Sequence, residues 1–285
     1  MIMKMTYDVE KDVRFICELS GDDLDSLSKK MSLSRRTLQY AFKSEPSADV
    51  LEKIYSYIYR NGSRLSVAKS DLFQESLKPD EKLFFHGSRF GFEQIDPSGS
   101  RNNSDLSYGF YCSGNLRSAV SFVEEYRNSS VYVFKANLSG LKSEVLSCDL
   151  DWMLAISYYR DKLGVYSESE YIQNLIRHLD SMDFVVAPIA DNKMFEILNQ
   201  FANGDITTVQ AIHSLSASRL GNQFVFKSPA AVERLVFIDR FYLCDEERKN
   251  SLLASGDHSN VIQTKLDMAK RQFRNKGKYI DELFI

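Results

Sequence analysis

The chain has 285 residues, of which 44% are hydrophobic and 26% charged, ordinary values for a globular protein and a length that suits two domains. Its net charge is −3, and residues 1–80 hold 13 basic and 13 acidic side chains, which excludes a protein built wholly around a nucleic-acid backbone. No apolar run reaches the ~18 residues of a membrane span, and the opening "MIMKMTYDVEKDV" lacks an apolar signal region, so a cytoplasmic protein with no membrane partner is expected.

The first elements read as short helices. Val9, Val13, Ile16 and Leu19 recur at helical spacing until Ser20-Gly21 breaks the run, and Leu24, Leu27 and Met31 form the next apolar stripe. In "MSLSRRTLQYAF", Ser34 is placed to cap a helix whose inner face is Leu38, Ala41 and Phe42. Val50, Leu51, Ile54 and Ile58 repeat the pattern as far as Asn61-Gly62. These elements make residues 1–65 an all-α domain. The polar stretch that follows, ending at Pro79, reads as a linker over 66–81.

From Lys82 the texture changes to short β-type runs: "KLFF", "VYVFKA", "DFVVAPIA", "NQFVFK" and "RLVFID". Helical patterns fall between them, near 115–127, 167–179, 193–202 and 207–216, and an amphipathic helix is expected in the tail from His258 to Lys278. The alternation is too irregular for a doubly wound parallel sheet. An α+β domain over 82–285 with mostly antiparallel strands fits better.

Common catalytic signatures are absent: there is no phosphate-binding P-loop, no dinucleotide-binding glycine triplet, no HExxH and no GxSxG. Cys17, Cys112, Cys148 and Cys244 are scattered and read as reduced thiols. His86, His178, His213 and His258 show no metal-ligand spacing, so no metal is expected. The single tryptophan, Trp152, reads as core.

What remains is an ordered set of short motifs: His86-Gly87-Ser88, then Asp105 and Gly109-Phe110-Tyr111, then "DFVVAPIA" at 183–190, and last Asn222-Gln223-Phe224. The set resembles the three motifs of ADP-ribosyltransferases of the diphtheria-toxin and poly(ADP-ribose)-polymerase type. It is similar above all to a bacterial branch of toxin-like enzymes, over a run from 83 to 239. The resemblance implies a split β-sandwich with surrounding helices. It implies NAD as co-substrate, transfer of ADP-ribose to a macromolecular acceptor (protein or nucleic acid), and a role as a toxin or phage-defence enzyme with a cognate antitoxin.

Carried over to this chain, His86, Tyr111 and Gln223 would be catalytic, and His86, Gly87, Ser88, Arg101, Tyr111 and Phe122 would bind NAD. An imidazole can bond a ribose hydroxyl through one ring nitrogen while the other is fixed by the protein. Gly87 lets the backbone approach the carboxamide closely, and Ser88 can cap that contact. The Tyr111 ring offers nicotinamide a flat face, Phe122 the opposing one. Arg101 could meet the pyrophosphate, and Asp191 could order the pocket. Polymer-forming relatives carry Glu where this chain has Gln223. A neutral amide accepts a hydrogen bond but cannot take a proton, which favours single transfer over elongation.

The N-terminal helices also resemble the helix-turn-helix of phage-repressor-like DNA-binding domains. There the second helix enters the major groove, which implies DNA contacts from Arg35, Arg36, Gln39 and Tyr40. That family often has glycine in the turn, where this chain has Ser32. A non-catalytic DNA-binding regulator with an NAD- or partner-sensing domain is the alternative reading.

Overall fold

The computed structural model describes residues 5–100, 104–190, 192–216, 221–256 and 259–284. Five helices come first: α1 (Val9–Ser20), α2 (Leu24–Lys30), α3 (Arg35–Ala41), α4 (Ala48–Arg60) and α5 (Leu65–Glu75). Next are β1 (Glu81–Ser88), β2 (Phe110–Ser113), α6 (Leu116–Ser121), β3 (Ser130–Asn137) and β4 (Ser143–Val145). α7 (Leu150–Tyr159), α8 (Glu170–Asp180), β5 (Phe184–Pro188), α9 (Asn192–Ala202) and α10 (Thr208–Leu215) follow. The chain closes with β6 (Asn222–Phe226), α11 (Pro229–Val232), β7 (Val236–Tyr242), α12 (Asp245–Gly256) and α13 (Ser259–Gln272). The described residues are thus α+β, and none of their helices is long and apolar enough to cross a membrane.

Helix starts follow local chemistry. Asp8, Asp23 and Ser34 each accept a backbone N–H of the first turn, Ser34 from Thr37 at 3.0 Å, so α3 begins where its sequence expects. Leu19 departs from expectation: it sits in the last turn of α1 and is 64% exposed, away from the buried stripe of Val9, Val13 and Ile16.

The chain divides into two compact units, interleaved along the sequence. The first comprises 1–94, 115–137 and 235–255. Its strands pair antiparallel as β1–β3–β7, with His86 opposite Tyr132 and Tyr132 opposite Arg240. One side of β1 packs Leu83 and Phe85 against Ala119, Val120 and Val123 of the α6 region. A second core joins Val9, Val13, Leu27, Leu38, Leu51 and Ile54 to Tyr242 and Cys244 at the end of β7.

The segment expected as a linker, 66–81, is largely α5, and the correction has a physical cause. Its polar composition hides one buried cation: Lys69 Nζ lies 2.5 Å from both Asp12 Oδ1 of α1 and Asp239 Oδ2 of β7. Burial opposes the charge, yet the two carboxylates hold the ammonium above its ordinary value. The N-terminal helices therefore share a unit with part of the sheet instead of standing alone, unlike the division at 65 and 82 that the sequence suggests.

The second unit comprises 95–114, 138–234 and 256–285. β4 and β5 run parallel, while β5–β6 and β6–β2 are antiparallel, in line with the expected predominance of antiparallel pairs. Its core centres on α7, where every residue from Trp152 to Ile156 is buried. Sequence periodicity misses α7, because a helix apolar on all sides shows no amphipathic period.

Candidate functional site

In the second unit, β2 and β6 bring two of the predicted residues together. Ser113 lies opposite Gln223 and Tyr111 opposite Val225. Side chains alternate along a strand, so Tyr111 and Gln223 share one face of the pair as diagonal neighbours. Gly109 makes this pairing possible: a Cβ there would meet Val225 Cγ1 at 2.5 Å.

Hydrogen bonds fix the Tyr111 ring at its far end. Its hydroxyl donates to the Ser107 carbonyl at 2.6 Å and accepts from the Leu106 N–H at 3.0 Å. Burial raises the phenol above its ordinary value, the Leu106 bond working against it. The hydroxyl therefore remains a neutral anchor, and the ring itself is what the residue can offer a ligand.

Gln223 is buried, and its amide nitrogen donates to Asp105 Oδ2 and to the Pro188 carbonyl, both at 3.2 Å. The Trp152 indole N–H donates to the same Pro188 oxygen at 3.2 Å, so the core tryptophan is also a brace. Asp105 Oδ1 receives Nε and Nη2 of Arg160, and the guanidinium lies 3.8 Å from the centre of the Phe195 ring. Arg160 and Phe195 were missed by sequence reasoning. They stand 55 and 90 residues beyond Asp105 and carry no motif; only the helix α7 leading to Arg160 and the turn into α9 place them here.

The first unit holds the His86-Gly87-Ser88 motif at the end of β1. The half-buried His86 ring meets Phe92 edge-on with centroids 5.2 Å apart, and Phe92 stacks on Tyr132 at 4.2 Å. Gly87 faces the other way. A Cβ there would come within 2.4 Å of the Ala119 carbonyl oxygen, with Val123 methyls at 3.1 and 3.3 Å. Glycine is thus required by packing against α6, a reason the sequence alone does not supply. Ser88 Oγ accepts from Gly91 N–H at 3.1 Å and closes the turn after the strand.

Phe122, which follows α6 in the first unit, has an exposed side chain. Arg101 and Asp191 lie outside the described residues.

On α3, Arg35, Arg36, Gln39 and Tyr40 are all exposed. Arg35 is already paired, its Nη1 lying 2.6 Å from Asp25 Oδ2. Ser32 adopts φ 56°, the left-handed conformation that glycine supplies in such turns.

An α+β chain whose second unit clusters Tyr111, Asp105, Arg160 and Gln223 is the class of protein these elements define. The chain belongs to the family described as a protein of unknown function, DUF3990, whose model matches residues 83–237. That stretch spans all four clustered residues and His86, and it leaves out α1 to α5. No curated protein and no solved structure matches the chain.

Proposed function

We propose that the chain is an NAD-dependent mono-ADP-ribosyltransferase acting on a macromolecule inside the cell. The observation that carries the reading is the juxtaposition of Tyr111 and Gln223 on one face of β2–β6, with Asp105 bonded to Gln223. Two motif segments more than 100 residues apart converge there, which chance matches to short motifs would not require. The residues suit NAD: an anchored aromatic ring, an amide oxygen and a histidine at a strand end are a stacking face and hydroxyl partners for a ribosyl-nicotinamide.

NAD, when bound, supplies an ADP-ribosyl group whose bond to nicotinamide is the one exchanged. The chain's residues bind and orient. The Tyr111 ring provides the stacking face, its hydroxyl tied back so that it does not compete for solvent. His86 bonds a ribose hydroxyl. Gln223 offers a neutral acceptor, which orients a hydroxyl without removing its proton. With no carboxylate at 223, chain elongation lacks its usual base, so a single transfer is the reaction that fits. A toxin or phage-defence role, a cognate antitoxin and a cytoplasmic location belong to the same proposal.

The test is incubation of the purified chain with adenylate-labelled NAD in a lysate, followed by protease or nuclease digestion. Label should enter one macromolecular class, with release of nicotinamide, and His86→Ala and Tyr111→Ala should each lower this by at least about a hundredfold. Labelling that survives both substitutions would overturn the assignment.

The exposure of Arg36, Gln39 and Tyr40 on α3 favours a second reading, DNA recognition by the N-terminal helices. Duplex affinity that falls steeply with salt and is lost in Arg36→Ala/Gln39→Ala would support it; salt-independent or unchanged binding would remove it.

A further inference from the structure

An amide side chain can turn either its oxygen or its nitrogen to a neighbour, and at Gln223 chemistry decides which. Asp105 Oδ2 and the Pro188 carbonyl oxygen, each 3.2 Å away, are both acceptors. Nitrogen must face them, because oxygen would meet oxygen. Both amide hydrogens are then spent. Among the described residues no donor reaches Gln223 Oε1, and that oxygen is not one of the fully enclosed unsatisfied atoms, which are Ser129 Oγ, Ser157 Oγ and Arg248 Nε. The carbonyl is therefore the end of the side chain available to a ligand.

The partners are themselves fixed. Pro188 O also receives the indole N–H of the fully buried Trp152. Asp105 is 8% exposed, and its other oxygen receives Arg160 Nε and Nη2 at 3.1 and 2.5 Å. A glutamate at 223 in the same rotamer would set one carboxylate against another and against a carbonyl, with no proton to share.

We propose that Asp105 is the positioning residue for Gln223: it locks the amide with its carbonyl outward, toward a hydroxyl donor of the bound substrate, and makes glutamine the residue that fits where polymer-forming relatives carry glutamate. This rests on the NAD reading above, in which that donor is a ribose hydroxyl. Arg160 balances the Asp105 charge and orients it.

The experiment is a double-mutant cycle on the full chain with Asp105→Asn, Gln223→Glu and the pair together. Thermal stability is measured without NAD, and NAD affinity and kcat/KM for nicotinamide release are measured with it. Gln223→Glu should melt lower than the parent, and adding Asp105→Asn should restore the melting temperature, because the amide introduced at position 105 can donate to the new carboxylate. In kcat/KM each single change should lose about tenfold or more, and the pair should lose less than the product of the two, a coupling of about tenfold. Asp105→Asn that lowers the melting temperature but leaves kcat/KM and NAD affinity within twofold of the parent would show a merely structural role and overturn the proposal. So would independent, multiplicative losses. A parent chain that neither binds nor turns over NAD overturns the NAD reading and the site assignment with it, whereas an active parent with an uncoupled cycle overturns only the role of Asp105.

Discussion

Replacing Lys69 by methionine keeps the length and apolar stem of the side chain and removes its charge. Asp12 and Asp239 are 3% and 4% exposed, so both carboxylates would be left enclosed without a cation. Tyr55 Oη would still donate to Asp12 at 2.7 Å and the Arg240 N–H to Asp239 at 2.8 Å, which softens the loss without cancelling it. At an effective dielectric of ~20, each 2.5 Å contact is worth ~6–7 kcal/mol of gross attraction. Most of that is offset by taking the ions out of water, and removing one partner of a buried pair costs about 3–5 kcal/mol net.

Such a cost corresponds to a fall in melting temperature of about 5–8 °C for a protein of this size. The effect has a definite pH sign. Burial already holds the Asp239 carboxyl above its ordinary value, with Lys69 opposing that rise. Without Lys69 the carboxyl moves higher still, so acid lets it take a proton and escape the penalty. Lys69→Met should therefore melt about 5–8 °C below the parent at pH 7.5, with a narrower gap at pH 5, by circular dichroism or differential scanning fluorimetry. Adding Asp239→Asn should recover part of the loss at neutral pH. A gap under about 2 °C at pH 7.5, or one that widens toward pH 5, would refute the reasoning.

Two further outcomes are expected. Glu247, half-buried beside Ser66, has its carboxyl pushed up by burial from 4.5 to about 7. A raised acid favours the folded state while protonated, so stability falls as pH rises from about 4.5 through 7. The ceiling is about 3 kcal/mol, reduced to about 1–2 by partial exposure. Glu247→Gln should flatten that stretch of the stability curve and be the more stable protein at pH 8.5; parallel curves for the two proteins would count against it. Gly87→Ala drives a Cβ to 2.4 Å from the Ala119 carbonyl and should cost about 1–3 kcal/mol in chemical denaturation, with or without NAD. An unchanged denaturation midpoint would mean that the α6 packing yields more easily than its backbone contact implies.

Some of this protein was legible in the residues themselves. The cap at Ser34, the apolar spacing of α1 to α4 and the β-type runs of β3, β5 and β6 are local signals, and local hydrogen bonding and periodic burial are what they record. The His86, Tyr111 and Gln223 motifs could be picked out for the same reason: each is a contiguous triplet.

The tertiary structure decided what depends on neighbours distant in sequence. α5 reads as polar linker until Asp12 and Asp239 meet Lys69, and α7 has no period because it is enclosed on every side. Arg160 became part of the Tyr111–Gln223 cluster only through its bond to Asp105, 55 residues earlier. Gly87 is glycine because of the Ala119 carbonyl, and the Gln223 amide takes one orientation because two acceptors face it. Periodicity reports which side of an element is buried, whereas the partner of a buried charge or a buried amide is settled only when separate strands and helices close around it.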